Sequence, residues 1–165
     1  MRPRSRNAAL VHQMERMMLT RETLPQAVGK PLGTSKWVQI SQARIDAFAD
    51  LTEDWQPIHL DPDAAQSAGF AGTVAHGFLT LSMLSAMSYD VLPRIKGESA
   101  SINYGFDRVR FIAPVPAGAR IRTHFDLVEA GPRGEGWMLR LAANVEIEGA
   151  DKPALTADWL AYYLF

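Results

Sequence analysis

Residues 77–92 read GFLTLSMLSAMSYDVL, and the way this stretch is buried decides the fold. Phe78, Leu79, Leu81, Met83, Leu84, Ala86, Met87 and Leu92 leave a helix with no broad polar face. A helix that is apolar nearly all round is covered on most sides. The run is too short for the ~18–20 apolar residues that cross a bilayer. It is therefore expected to be a helix wrapped by other structure.

The wrapping material follows it in the chain. After Pro93 the apolar period changes to two, and INYGFDRVRFIAPV (102–115), ARIRTHFDLVEAG (119–131), EGWMLRLAANVEIEG (135–149) and PALTADWLAYYLF (153–165) read as strands. Short linkers rich in Gly, Pro and charge join them, so neighbours run antiparallel. Upstream, GKPLGTSKWVQIS (29–41) holds one more short strand at Trp37–Ile40, behind Gly and Pro breakers. At least five strands around one apolar helix make an α+β architecture, a curved antiparallel sheet with the helix inside.

Between the early strand and the apolar helix lie two amphipathic segments. Ser41 is an N-cap for QARIDAFADLTED, with Ile45, Phe48, Ala49 and Leu51 as its buried stripe. Pro57 disfavours helical geometry at Gln56, so this helix is expected to end near Asp54 or Trp55, with an extended turn after it. Asp61 and Pro62 suit the N-cap and first position of a further short helix, which Gly69 ends.

Bulk properties bound the function. The chain has 165 residues, 17 basic and 18 acidic side chains, a formal charge of −1 and no cysteine. That balance gives no reason to expect nucleic acid or an anionic membrane surface as partner. Thiolate metal sites, cysteine nucleophiles and disulfides are excluded, which is compatible with a cytoplasmic location. No segment reads as a membrane span. Residues 1–24 are arginine-rich with helical apolar spacing at Leu10, Met14, Met17 and Met18; Glu15 and Glu22 argue against a transit peptide, leaving a helical extension. Residues 25–165 form one domain.

The segment LTEDWQPIHLDPD (51–63) carries Glu53, Asp54, His59, Asp61 and Asp63 around Pro57. Asp54 and His59 are not at the spacing of neighbours on one helical face. Two readings stay open. Asp54 bonds locally while His59 sits on a solvated loop, or the two meet beside an apolar cavity, hold a water and exchange protons with it. Spacing by itself favours the plainer one. One histidine with scattered carboxylates falls short of the usual zinc ligand set unless His76 joins it, so no metal is expected.

His76-Gly77 stands where the apolar helix begins. Unpaired N–H groups point outward there, and glycine lets a carbonyl approach the backbone, as in an oxyanion hole. The plainer reading is that Gly77 permits tight packing and His76 is a satisfied buried histidine. Ser82 and Ser85 lack an activating base and a G-x-S-x-G turn, so Ser85 reads as a hydrogen-bonding or small packing residue. Arg108 and Arg110 read as the solvent face of a strand; His12 and His124 have no evident partners.

Taken together, EDWQPIHLDPDAA (53–65), TVAHGFLTLSMLS (73–85) and INYGFDRVRFIAPVPAGARIR (102–122) resemble the MaoC-like dehydratase family of (R)-specific enoyl-CoA hydratases. Within it, the chain looks closest to the nodulation-protein-N-like branch. The resemblance covers residues 25–165 and implies a hot-dog fold, which agrees with the wrapped helix. It implies Asp54 and His59 as the catalytic pair, Gly77 as the backbone donor to a thioester carbonyl, and Ser85 as a supporting residue. Gln56 departs from the asparagine most often found before the proline. The implied reaction is hydration of a trans-2-enoyl thioester, or the reverse dehydration, without metal or redox cofactor. The coenzyme A or acyl-carrier-protein arm belongs to the substrate, and a homodimer is expected. The same fold also hosts thioesterases and non-catalytic acyl binders.

Overall fold

The computed structural model describes residues 18–89 and 91–165. The helical reading of residues 1–17 and the histidine at position 12 lie outside them. From Leu19 onward the chain makes a single bridge to Ile95, then a 3-10 turn at Leu24–Ala27. The expected helix does not extend through this part.

Six strands form one antiparallel sheet: β1 Pro31–Thr34, β2 Val38–Gln39, β3 Ala100–Phe111, β4 Arg120–Arg133, β5 Gly136–Ile147 and β6 Leu155–Leu164. The order is β1-β4-β5-β6-β3, and β2 also pairs with β4. The four long strands are those the period-two pattern predicts. The strand at Trp37–Ile40 is shorter than expected, and β1 was hidden by its breakers. Proline is tolerated where a strand begins at a sheet edge, and here the register shifts between Pro31 and Gly33.

Alternation explains how the sheet divides inside from outside. On β6, Leu155, Ala157, Trp159, Ala161 and Tyr163 are buried and their neighbours partly exposed. Leu139, Leu141, Ala143, Val145 and Ile147 of β5 and Ile121, Thr123, Phe125 and Leu127 of β4 continue this inner face. Bulges between Leu127 and Glu129 on β4 and between Asn103 and Gly105 on β3 add twist and help the sheet curve. The outer face carries ion pairs, among them Arg122 with Glu146 at 2.7 Å and Arg120 with Glu148. Exposed pairs of this kind add little to stability.

Four helices lie between β2 and β3: α1 Gln42–Thr52, α2 Pro57–Leu60, α3 Pro62–Ser67 and α4 Gly77–Ser88. The last is the apolar helix, and Leu79, Leu84 and Met87 bury into the sheet core. Each contributes roughly 1.5–3 kcal/mol by leaving water. It is less enclosed than its composition suggests. Phe78 is 67% and Tyr89 68% exposed, and Ser82 and Ala86 are also exposed. Residues 78, 82 and 86 are four apart and so share one face.

On α1, Ser41 accepts from the Arg44 N–H as the N-cap, and Ile45 and Ala49 are buried. Leu51, expected in that stripe, is 85% exposed. It lies six residues from Ile45, off the 3–4 spacing that Phe48 and Ala49 obey.

Candidate active site

The backbone between α1 and α2 brings the site residues together. Helix α1 stops at Thr52, earlier than the proline alone predicts, because Glu53 takes left-handed geometry with φ 58°. Asp54 follows at once, its N–H still bonded to the Ala49 carbonyl at 3.2 Å. Gln56 is extended, as a residue before proline must be. Pro57 then opens the one-turn helix α2 that carries His59, where an extended turn was expected. Asp61 accepts from the N–H groups of Asp63 and Ala64 and starts α3, its predicted capping role.

His59 is 6% exposed. Its Nδ1–H donates to the Val74 carbonyl at 2.6 Å, because a carbonyl can only accept. The proton is thereby held on Nδ1, and Nε2 is the free acceptor. The His59 backbone carbonyl accepts from Gln42 Nε2 at 2.8 Å, and Gln42 is held in turn by Thr73 Oγ1 at 2.5 Å. Burial pushes the imidazole below its ordinary value; the Val74 carbonyl and Asp54 oppose this, and His76 adds to it. A buried neutral imidazole is suited to accept a proton.

Asp54 is exposed. One of its carboxylate oxygens and one nitrogen each of His59 and His76 all lie within 4.8 Å of one another. A separation beyond direct hydrogen-bond reach is one a single water bridges. The two imidazoles are stacked, with centroids 3.7 Å apart and planes 28° from parallel. Lone pairs lie in the ring planes, so stacked rings aim them side by side and not at one point about 2.0–2.1 Å away, as zinc ligation needs. The cluster has the composition of a metal-ligand set, with its two imidazoles stacked and not converging on one point.

His76 precedes α4 as its N-cap, without a side-chain capping bond. Gly77 N–H, in the first turn, has no acceptor in the described protein. A cavity of about 320 Å³ has His59 and Gly77 on its wall, with Phe70, Thr80, Phe111 and Ile112. A Cβ at Gly77 would meet the Phe111 ring at 3.0 Å, so a side chain there would have to push that ring aside. Asp54, His59 and Gly77 therefore gather at one end of α4. Ser85 does not join them. Eight positions further along a helix is about 12 Å, and Ser85 lines a separate cavity of about 410 Å³ with Ser88, Tyr89, Asn103 and Trp159.

Two supporting groups escaped the sequence reading. Val74 acts through its backbone, which leaves no mark in a sequence. Gln42 looks like any polar residue of a first helical turn. His124, which showed no evident partner, is bonded to Thr34 Oγ1 at 2.8 Å and Glu146 Oε2 at 2.7 Å on the outer face.

Similarity to known proteins follows this geometry. The family model described as MaoC like domain matches residues 23–138. Nodulation protein N of Rhizobium meliloti (strain 1021) is 50% identical over 141 residues, covering 84% of this chain and 87% of the relative. The 3-hydroxyacyl-thioester dehydratase Z of Mycobacterium tuberculosis (strain ATCC 25618 / H37Rv) is 41% identical over 142 residues, covering 86% and 93%. Among solved structures, the (R)-hydratase from A. caviae involved in PHA biosynthesis superposes with a TM-score of 0.67 at 27% identity, covering 81% of this chain and 94% of that one. The wrapped-helix sheet is thus a hot-dog fold, and the chain belongs to the MaoC-like domain family.

Proposed function

We propose that this protein is a hydro-lyase of acyl thioesters, an (R)-specific enoyl-CoA hydratase or 3-hydroxyacyl-thioester dehydratase. The observation that carries the reading is the tautomer of His59: Nδ1–H is engaged by the Val74 carbonyl, and Nε2 is left to act on a cavity it shares with Gly77. The family membership and the names of the relatives support the same reaction class.

In the hydration direction, a water lies between Asp54 and His59. Its oxygen adds to C3 of the trans-2-enoyl thioester while His59 Nε2 takes one of its protons. The C2–C3 π pair moves toward the thioester oxygen, and the enolate so formed is received by Gly77 N–H. The imidazolium returns its proton to C2, so the elements of one water are added and His59 ends neutral. Asp54 accepts from the water's other hydrogen and stabilises the imidazolium. The scheme uses no metal or redox cofactor; the coenzyme A or acyl-carrier arm is part of the substrate.

The active unit is a homodimer in this reading. Among the described residues strand β3 pairs with β6 alone, which leaves its other edge open. Ile102, Tyr104 and Phe111 on it, Phe78 on α4 and Tyr89 just after α4 are 46–68% exposed. Open edges and exposed aromatic groups are what a second subunit covers.

Crotonyl-CoA tests the reaction by loss of its conjugated thioester absorbance. Asp54→Asn and His59→Gln should each abolish most of it; activity unchanged in both sinks the residue assignment. Release of free thiol would instead assign hydrolysis, and binding without turnover would assign a non-catalytic acyl binder. Sedimentation equilibrium at micromolar concentration reads the dimer directly.

A further inference from the structure

His76 is fully enclosed at 2% exposure and has no place in the proton path. Its Nε2–H donates to the backbone carbonyl of Asp54 at 2.9 Å, which again assigns the tautomer because the acceptor is a carbonyl. Its ring lies flat on that of His59, with Phe48 at 5.1 Å from it. Its Nδ1 is buried without a hydrogen-bond partner among the described residues. A buried nitrogen left bare is unfavourable, so a histidine here needs a reason beyond packing.

We propose that His76 is the positioning residue of the site, holding Asp54 by its main chain and His59 by its ring face from the residue that precedes Gly77. Both members of the pair come from one short turn, residues 53–59, whose first half is tied to α1 by the Glu53 and Asp54 N–H groups on the Ala49 carbonyl and by Trp55 Nε1 on Asp50 Oδ1. His76 fastens that half to the start of α4. The water-holding pair and the oxyanion donor are thereby referred to a single point of the fold. Angstrom-scale misplacement of such groups is costly to rate and not to binding. This inference rests on Asp54 and His59 being the catalytic pair.

Three substitutions separate the two contacts. His76→Gln keeps an uncharged N–H donor and gives up the flat ring. His76→Phe keeps the ring and gives up the donor, and His76→Ala gives up both. With crotonyl-CoA, His76→Phe and His76→Ala should lose at least tenfold in kcat with KM within threefold, and His76→Gln should recover a large part of the loss. In His76→Gln the acid limb of kcat/KM should move to higher pH, since the neighbouring imidazole that disfavours a charged His59 is gone; the only other ionisable group acting on His59 is Asp54. Wild-type kcat and an unmoved limb in His76→Phe, with Asp54→Asn and His59→Gln inactive, overturn the inference and leave the catalytic pair standing. Activity lost in neither of those two variants would instead overturn the pair itself. Imidazole nitrogen NMR on the unaltered protein needs no variant to fold: a His76 protonated on Nε2 supports the proposal, and one protonated on Nδ1 overturns it.

Discussion

Replacing Gly77 by alanine separates packing from chemistry at the start of α4. The new Cβ would stand 3.0 Å from Cδ1 and Cε1 of Phe111 and 3.3 Å from its Cγ. Carbon atoms pack best at about 3.5–4.0 Å, so the ring must retreat by roughly half an ångström. Phe111 is 50% exposed and can swing outward, which puts the cost at the low end of the ~1–3 kcal/mol of an overpacked core. Alanine recovers up to about 1 kcal/mol as the better helix former. The two nearly cancel, and stability should stay within about 1 kcal/mol, or about 2–4 °C in Tm for a domain of this size. Activity should not be spared. The methyl group stands beside the N–H that is to meet the thioester oxygen, and a displacement near 1 Å costs on the order of 100-fold. A 10- to 100-fold fall in kcat for crotonyl-CoA, measured beside an unchanged melting curve, is the expected pair of results. A variant with kcat within twofold and the same Tm would refute the role given to this backbone donor.

The remaining expectations are these. In the proposed reaction His59 is a neutral base, and burial lowers its pKa, so kcat/KM for hydration should hold as pH falls through the ordinary histidine value of about 6.5 and drop only below it. The same group makes stability rise with pH across the window between its folded and unfolded values, because the unfolded chain binds the extra proton there; urea midpoints at pH 5 and pH 7 check the sign. Ile45→Ala should cost about 2–5 kcal/mol by opening a cavity in the core, whereas Leu51→Ala, at an exposed position, should change urea stability by no more than about 0.5 kcal/mol. Asp61→Ala removes the cap of α3 and should cost about 0.5–2 kcal/mol with kcat within twofold; a larger loss of rate would return Asp61 to the chemistry.

What could be read before the structure was what local chemistry signals. Period-two runs from residue 102 onward marked β3 to β6; on β4 to β6 one buried face imposes that alternation, whereas no residue of β3 is buried. Asp61-Pro62 announced a helix start through a side chain that caps and a ring that suits the first turn. Leu51 misled because it is apolar but out of phase with Ile45 and Ala49. Strand β1 was masked by Pro31 and Gly33, which mean a breaker inside an element and are harmless at an edge. At the site, the Asp54–His59 spacing permitted contact without requiring it; the deciding residue was Glu53, whose left-handed turn is an unusual choice for a glutamate. The separation of Ser85 from His59 was invisible, since a family motif records order along the chain and not which cavity each helix face looks into.

The Val74 carbonyl that orients His59 sits in a segment sewn down by main-chain bonds. Val74 N–H donates to Ile58 O at 3.2 Å, Ala75 N–H to Val115 O at 2.8 Å, and Ala117 N–H to Thr73 O at 2.9 Å. Many active sites orient their histidine with a carboxylate, which one codon change can delete. Here the orienting group is present whatever amino acid occupies position 74. In the proposed reaction, substitutions that reshape the neighbouring cavity for another acyl group can thus accumulate without changing which nitrogen carries the proton. For that reaction the place of the proton on His59 is fixed by main chain, and side chains on the same cavity wall can vary without moving it.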